Sequence, residues 1–144
     1  KKNNQNYFIY LDTISIVAPI GIFFGRLANF INSELYGTET NLPWAVNFAQ
    51  VDNLYRHPSQ IYEAIFEGIV LFFILIIFRN KGYLKIPGLI SSLFLIFYSI
   101  FRIFSEFFRE PDLQIGYILN YVSMGSLLSF FMFGLGIVMY LKIK

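Results

Sequence analysis

Four long apolar stretches, at about 13 to 31, 61 to 78, 86 to 108 and 116 to 141, alternate with short polar segments that carry most of the charge. In helical geometry, roughly 18–26 residues extend about 27–39 Å, enough to cross a hydrocarbon core of about 30 Å. The pattern predicts an all-α, polytopic membrane protein with four transmembrane helices in this chain. The second stretch is the most interrupted, because Glu63 and Glu67 stand in its first turns and only 68 to 78 is wholly apolar.

Composition narrows the class further. Of 144 residues, 56% are hydrophobic and 14% charged, too apolar for an ordinary soluble domain of this size. A net charge of +2 with scattered lysines gives no nucleic-acid surface. With no cysteine, any sulfur chemistry must come from a substrate, and with His57 as the single histidine no metal site and no cofactor is expected. The chain opens on Lys1 with no signal-type stretch ahead of its first helix, so residues 1–144 read as the C-terminal part of a single membrane domain.

Loop charges set the orientation. Lys1, Lys2, Arg79, Lys81, Lys85, Lys142 and Lys144 fall at alternate ends of successive helices, which makes those ends cytoplasmic. The connections 32 to 60 and 109 to 115 then face outward and contain no lysine; the outer cations are Arg26, Arg56, Arg102 and Arg109. A planar guanidinium fork suits phosphate or carboxylate, so the bias fits anion recognition on that side. Within the long outer loop, PWAVNF at 43 to 48 is a candidate strand, and Trp44 suits the membrane interface. Gly21 and Gly25 in GIFFG form a small-residue ridge expected to admit a close helix neighbour.

Arg26, Asn29, Asn32 and Glu34 crowd the outer end of the first helix, whereas a lone arginine there would only snorkel. On the third, Tyr98, Arg102, Glu106 and Arg109 recur at i, i+4, i+8 and i+11 and form one polar stripe. An internal Arg102–Glu106 pair explains part of it but leaves Tyr98 and Arg109 over. The simplest assembly is one outward-facing anion pocket between the first and third helices. His57 or Ser59 is a candidate cap for the second helix, with Pro58 at an early position. Gln60, Glu63 and Glu67 share a face of that helix, and Asn120, Ser123 and Ser126 on the fourth are assigned packing hydrogen bonds.

The motif at Gly25, Arg26, Ala28, Asn29, Phe30, Ile31, Asn32, Glu34 and Gly37 resembles, without a mismatch, the signature of the prolipoprotein diacylglyceryl transferases. RHPSQIYE, YSIFRIFSEFFREPD at 98 to 112 and YVSMGSLLS at 121 to 129 resemble further blocks of that family in the same order. The family's His-Gly-Gly motif, which lies N-terminal to these blocks, does not occur in this sequence. The resemblance implies a bacterial inner-membrane enzyme with its site toward the outer face. Its reaction moves the diacylglyceryl group of phosphatidylglycerol to the lipobox cysteine in the signal peptide of a preprolipoprotein, leaving a thioether and releasing glycerol phosphate.

On that basis Arg26 and Arg102 are expected at the phosphate, and Asn29 and Tyr98 at glycerol hydroxyls or phosphate oxygens. Glu106 holds Arg102, Glu34 orients Arg26 or moves a proton, and His57 lies with the substrate-binding residues. Expected partners are phosphatidylglycerol, the lipobox peptide and membrane lipids. An anion transporter and a noncatalytic phospholipid-binding subunit are the competing readings. The first fits poorly with cytoplasmic halves of helices two and three that are apolar.

Overall fold

The computed structural model describes residues 7–111, 117–118 and 122–143. Four helices long and apolar enough to cross a membrane organise them: α1 Tyr7–Ile31, α2 Ser59–Asn80, α3 Leu89–Glu106 and α4 Met124–Ile143. The chain is an all-α, multi-pass membrane protein. Two strand pairs lie in the connections between helices: β1 Val46–Asn47 with β2 Tyr55–Arg56, and β3 Tyr117–Ile118 with β4 Val122–Ser123, both antiparallel.

The bundle is closed by a small apolar core of Ile16, Leu71, Leu75, Leu89, Ile90 and Leu93. Elsewhere the usual arrangement is inverted. Exposed faces are apolar, as at Ile14, Phe24, Phe73 and Phe131, while Asp12, Glu63, Glu67, Ser92, Ser99 and Ser105 are fully enclosed. That is the distribution a lipid solvent favours, since polar groups must find partners inside the protein.

α1 begins at Tyr7, earlier than the apolar stretch indicates, and takes in Asp12. The charge is tolerated because it is a cap for a different helix. Asp12 Oδ2 accepts from the Gly88 amide (2.7 Å), and Oδ1 accepts from the Ser91 amide (2.8 Å) and hydroxyl (2.6 Å). These are orphan donors at the N-terminus of α3, where the helix dipole also favours an anion. Gly88, at φ +89°, supplies the left-handed turn that delivers the chain into α3.

The close helix approaches are not where GIFFG predicts them. A Cβ at Gly21 or Gly25 would meet nothing within 4 Å, whereas one at Gly68 would overlap Phe23, and one at Gly136 would press on Leu95 and Ile96. The ridge that matters lies on α2 and α4. α4 starts at Met124 rather than near 116, because Tyr117–Ile118 and Val122–Ser123 pair as a hairpin first. Ser123 Oγ then accepts from the Ser126 amide at 3.1 Å, a capping bond; Asn120 lies outside the described residues. Val46–Asn47 keeps part of the expected strand at 43 to 48.

Within α2 the segment Ala64–Val70 is a π-helical turn. It follows directly on Glu63 and contains Glu67, and both carboxylates point into the bundle. Neither His57 nor Ser59 caps this helix. Pro58 occupies the cap position, and Ser59 Oγ donates instead to the Leu35 carbonyl at 3.1 Å.

Candidate active site

Where α1 ends, α2 begins and α3 ends, each of the three helices contributes charge to one cluster. Arg26 of α1 reaches across to α2, its Nη1 lying 3.2 Å from Glu63 Oε2 and its Nη2 3.0 Å from Glu67 Oε2. Arg102 of α3 reaches the same helix from the other side. Its Nη1 stands 2.6 Å from Glu63 Oε1 and 4.0 Å from Glu67 Oε1, while its Nη2 pairs with Glu106 at 2.8 Å. Arg109, just beyond the end of α3, adds a third contact to Glu63 at 3.4 Å. Glu63 and Glu67 are completely enclosed, whereas the Arg26 side chain keeps 16% of its surface. A group arriving from outside therefore meets arginine before it meets glutamate.

The residues predicted to share a site are brought together unequally. Arg26, Arg102 and Glu106 are in the cluster, and Tyr98 is within electrostatic reach of Glu67, Arg26 and Arg102. Asn29 lies half-buried one turn beyond Arg26, its side chain without a hydrogen bond among the described residues. Glu34 does not orient Arg26. It is exposed after a chain reversal through Ser33 and Leu35, both at positive φ, and its carbonyl accepts from Gln60 Nε2 at 2.6 Å. His57 stands apart in an aromatic cradle, with Nδ1 3.2 Å from the Tyr62 hydroxyl and its ring against Phe108. Trp44 Nε1 donates to that same hydroxyl at 2.7 Å.

One expectation needs correction in kind. The negative partner that Arg26 requires is supplied by the chain itself, through Glu63 and Glu67, so α2 stands between the first and third helices where a two-helix pocket was expected. The sequence placed Gln60, Glu63 and Glu67 on one face but gave them no role; two carboxylates in an otherwise apolar helix, matched by two arginines at equivalent depth, were the available signal.

Above the cluster a backbone clasp fixes the helix ends. The amide of Gly37 donates to the His57 carbonyl (3.0 Å), and the amide of Thr38 donates to the Phe108 carbonyl (3.0 Å). The Glu110 amide donates to the Tyr36 carbonyl at 3.1 Å. Gly37 runs so close to both neighbouring backbones that no side chain fits there. Arg56 locks the outer side by pairing with Asp52 at 2.7 Å and Glu110 at 3.3 Å, donating to the Gly37 carbonyl and stacking over Tyr36. The Arg56 hydrogen bond, helped by the Leu54 amide, holds the Asp52 carboxyl below the usual carboxylate range. Asp52 in turn holds the Arg56 guanidinium more firmly in its charged form.

On the membrane-facing side, one turn below Arg26, Pro19, Ile20, Phe23, Phe24, Gly68 and Phe72 help to line a wholly apolar groove of about 230 Å³. On the opposite side Gly125, at the start of α4, sits against the Arg102–Glu106 pair, where a Cβ would come within 3.0–3.1 Å of both side chains.

Residues 1–142 match the family model described as prolipoprotein diacylglyceryl transferase. The chain belongs to this family. Among curated relatives it is similar to the phosphatidylglycerol–prolipoprotein diacylglyceryl transferase of Rickettsia bellii (strain OSU 85-389), with 51% identity over 144 residues, 99% of this chain and 54% of that protein. The protein of the same name from Rickettsia akari (strain Hartford) is 54% identical over 138 residues, 94% of this chain and 53% of its own length. That from Rickettsia typhi (strain ATCC VR-144 / Wilmington) is 53% identical over 131 residues, 90% and 50% of the two chains. The chain thus spans about half the length of the family members it matches.

Proposed function

We propose that the protein containing this chain transfers the diacylglyceryl group of phosphatidylglycerol to the cysteine thiol of a prolipoprotein lipobox. The reading is carried by the convergence of Arg26 and Arg102, from two different helices, on one partly accessible point at the outer end of a membrane bundle. Family membership and the names of the Rickettsia relatives support it. So does the apolar groove beneath Arg26, which has the character of an acyl-chain bed. The lysine distribution supports a site facing outward, and family membership supports the bacterial inner membrane.

In this reaction the thiol loses its proton, sulfur bonds to the glyceryl carbon, and that carbon's bond to the phosphate oxygen breaks, so glycerol phosphate leaves with the electron pair. Negative charge on phosphate grows as the bond lengthens. Guanidinium groups held in place by Glu63 and Glu106 are already directed at it, and in a site of reduced dielectric their effect is greatest in the transition state. In this reading Tyr98 and Asn29 hold glycerol hydroxyls or phosphate oxygens. The absence of cysteine from the chain is consistent, because the nucleophile belongs to the peptide.

The test is direct. Full-length protein in membranes lacking the native enzyme is given phosphatidylglycerol and a lipobox peptide, and the peptide is weighed by mass spectrometry. A gain of one diacylglyceryl unit, lost in Arg26→Ala, is the expected outcome. An unmodified peptide beside a folded protein that still binds phosphatidylglycerol would replace this reading with a noncatalytic lipid-binding one.

A further inference from the structure

Glu67 differs from the other members of the outer cluster. It is wholly enclosed, and its single hydrogen bond is the one Oε2 accepts from Arg26 Nη2 at 3.0 Å; Oε1 has no hydrogen bond among the described residues and lies 4.0 Å from Arg102 Nη1. Three groups of other helices face it, Arg26 from α1 and Tyr98 and Arg102 from α3, together with Glu63 from its own helix; Glu106 and Arg109 stand behind Arg102 and Glu63. Glu63, by contrast, contacts Arg26, Arg102 and Arg109 at 3.2, 2.6 and 3.4 Å.

The formal charges of Arg26, Arg102 and Arg109 cancel those of Glu63, Glu67 and Glu106. An arriving phosphodiester therefore finds no surplus positive charge, and its own charge would leave the cluster net negative in a medium that penalises unpaired ions. Glu106 keeps 13% of its side-chain surface and so stays in reach of solvent, which leaves the two wholly enclosed carboxylates; of these, Glu67, with two arginine contacts against three for Glu63, is where neutrality is restored most easily.

We propose that Glu67 is the exchangeable counter-ion of Arg26: the anionic phosphodiester of a lipid head group takes its place at Arg26 Nη2, and the displaced carboxylate takes one proton from water. The carboxyl O–H bond forms as one O–H bond of solvent hydronium breaks, leaving water. The inference rests on reading this cluster as a phospholipid site. Loss of a cation and arrival of an anion both favour the neutral carboxyl, so the sign is fixed. Lipid binding takes up a proton and strengthens as pH falls, by up to about tenfold per pH unit.

The experiment uses the full-length protein in detergent and short-chain phosphatidylglycerol, with titration calorimetry at about pH 6, 7 and 8 in buffers of different ionisation enthalpy. Neither this lipid nor sulfate, run in parallel as a free oxyanion, exchanges a proton of its own in that range. The expected result is uptake of close to one proton per lipid by the wild type, with near-zero uptake and a flat pH dependence in Glu67→Gln. Uptake that persists in Glu67→Gln overturns the assignment to Glu67, and binding by the wild type without uptake overturns the exchange itself.

A readout that needs no variant is the infrared difference spectrum, in which lipid addition produces a protonated-carboxyl stretch; its absence also overturns the exchange. Failure of the wild type to bind phosphatidylglycerol at any pH removes the lipid reading together with this one. Binding with no proton uptake removes this one alone. Uptake with sulfate but not with lipid reassigns the exchange to a free anion and overturns the lipid head group.

Discussion

Buried carboxylates sit at both ends of the bundle, and they are satisfied in different ways. Asp12, at the end where α3 begins, accepts three hydrogen bonds from two amides and a hydroxyl, all within 2.6–2.8 Å and all from the first turns of α3. Glu63 and Glu67, at the opposite end, face guanidinium groups, and Glu63 Oε2, Glu67 Oε1 and Glu106 Oε2 lack a hydrogen bond among the described residues. A carboxylate held by neutral, fixed donors has nothing to exchange and serves stability. A carboxylate held by guanidinium groups, with acceptor capacity to spare, can hand its partner to another anion, and the second arrangement is the one expected of a working site.

The sharpest test of that contrast is Arg26→Lys in the full-length protein. Lysine keeps the charge but loses the fork that bridges Glu63 and Glu67, so the rate of thioether formation should fall by about a hundredfold or more, as when a preorganised oxyanion donor is removed. A rate within a few-fold of wild type would take Arg26 out of the mechanism. Next comes the pair on and beyond α3. Arg102 binds both Glu63 and Glu106 closely, whereas the contact of Arg109 with Glu63 is longer. Arg102→Ala should therefore slow turnover more than Arg109→Ala, and the reverse order would move the phosphate site outward.

At the other end, Asp12→Ala should lower thermal stability by roughly 1–3 kcal/mol through the donors it leaves unpaired, with turnover per folded molecule unchanged. Equal losses of stability and specific activity would erase the distinction between the two ends. The smallest effect is expected at the Asp52–Arg56 lock. The Asp52 carboxyl titrates lower in the folded protein than its ordinary 3.8, so its contribution is complete above that value and is lost as pH falls through the lower, folded one. Amide exchange at Gly37 and His57 should accelerate in that acid window, and Asp52→Asn should remove the step.

The four helices were legible because lipid-facing segments announce themselves by length and apolarity. Their ends were not. Asp12 looks like a boundary in sequence, and only the approach of the α3 N-terminus, seventy-six residues away at Gly88, turns it into an interior cap. The stripe on α3 disclosed Arg102 and Glu106 correctly, since i, i+4 contacts are local. The partnership of Arg26 with Glu63 and Glu67 joins different helices and depends on how α2 is rotated, which periodicity does not specify. Glu34 forms no ion pair with Arg26 among the described residues; it lies in the reversal through Ser33 and Leu35, both at positive φ, which the helical pattern does not specify.

The π-helical turn in α2 also constrains how this helix can change in length. A π turn accommodates more residues than an α turn, so deletion of one residue from Ala64–Val70 would allow ordinary α-helical winding to resume. The flanks would then keep nearly their present relative rotation, because a π turn is an α turn with one residue more. The same deletion within Leu71–Asn80, which is regular α-helix, would instead swing one side by about 100° relative to the other, one residue's rotation at 3.6 residues per turn. α2 thus has one stretch in which its length can change while its two ends keep their facing, and that stretch adjoins Glu63.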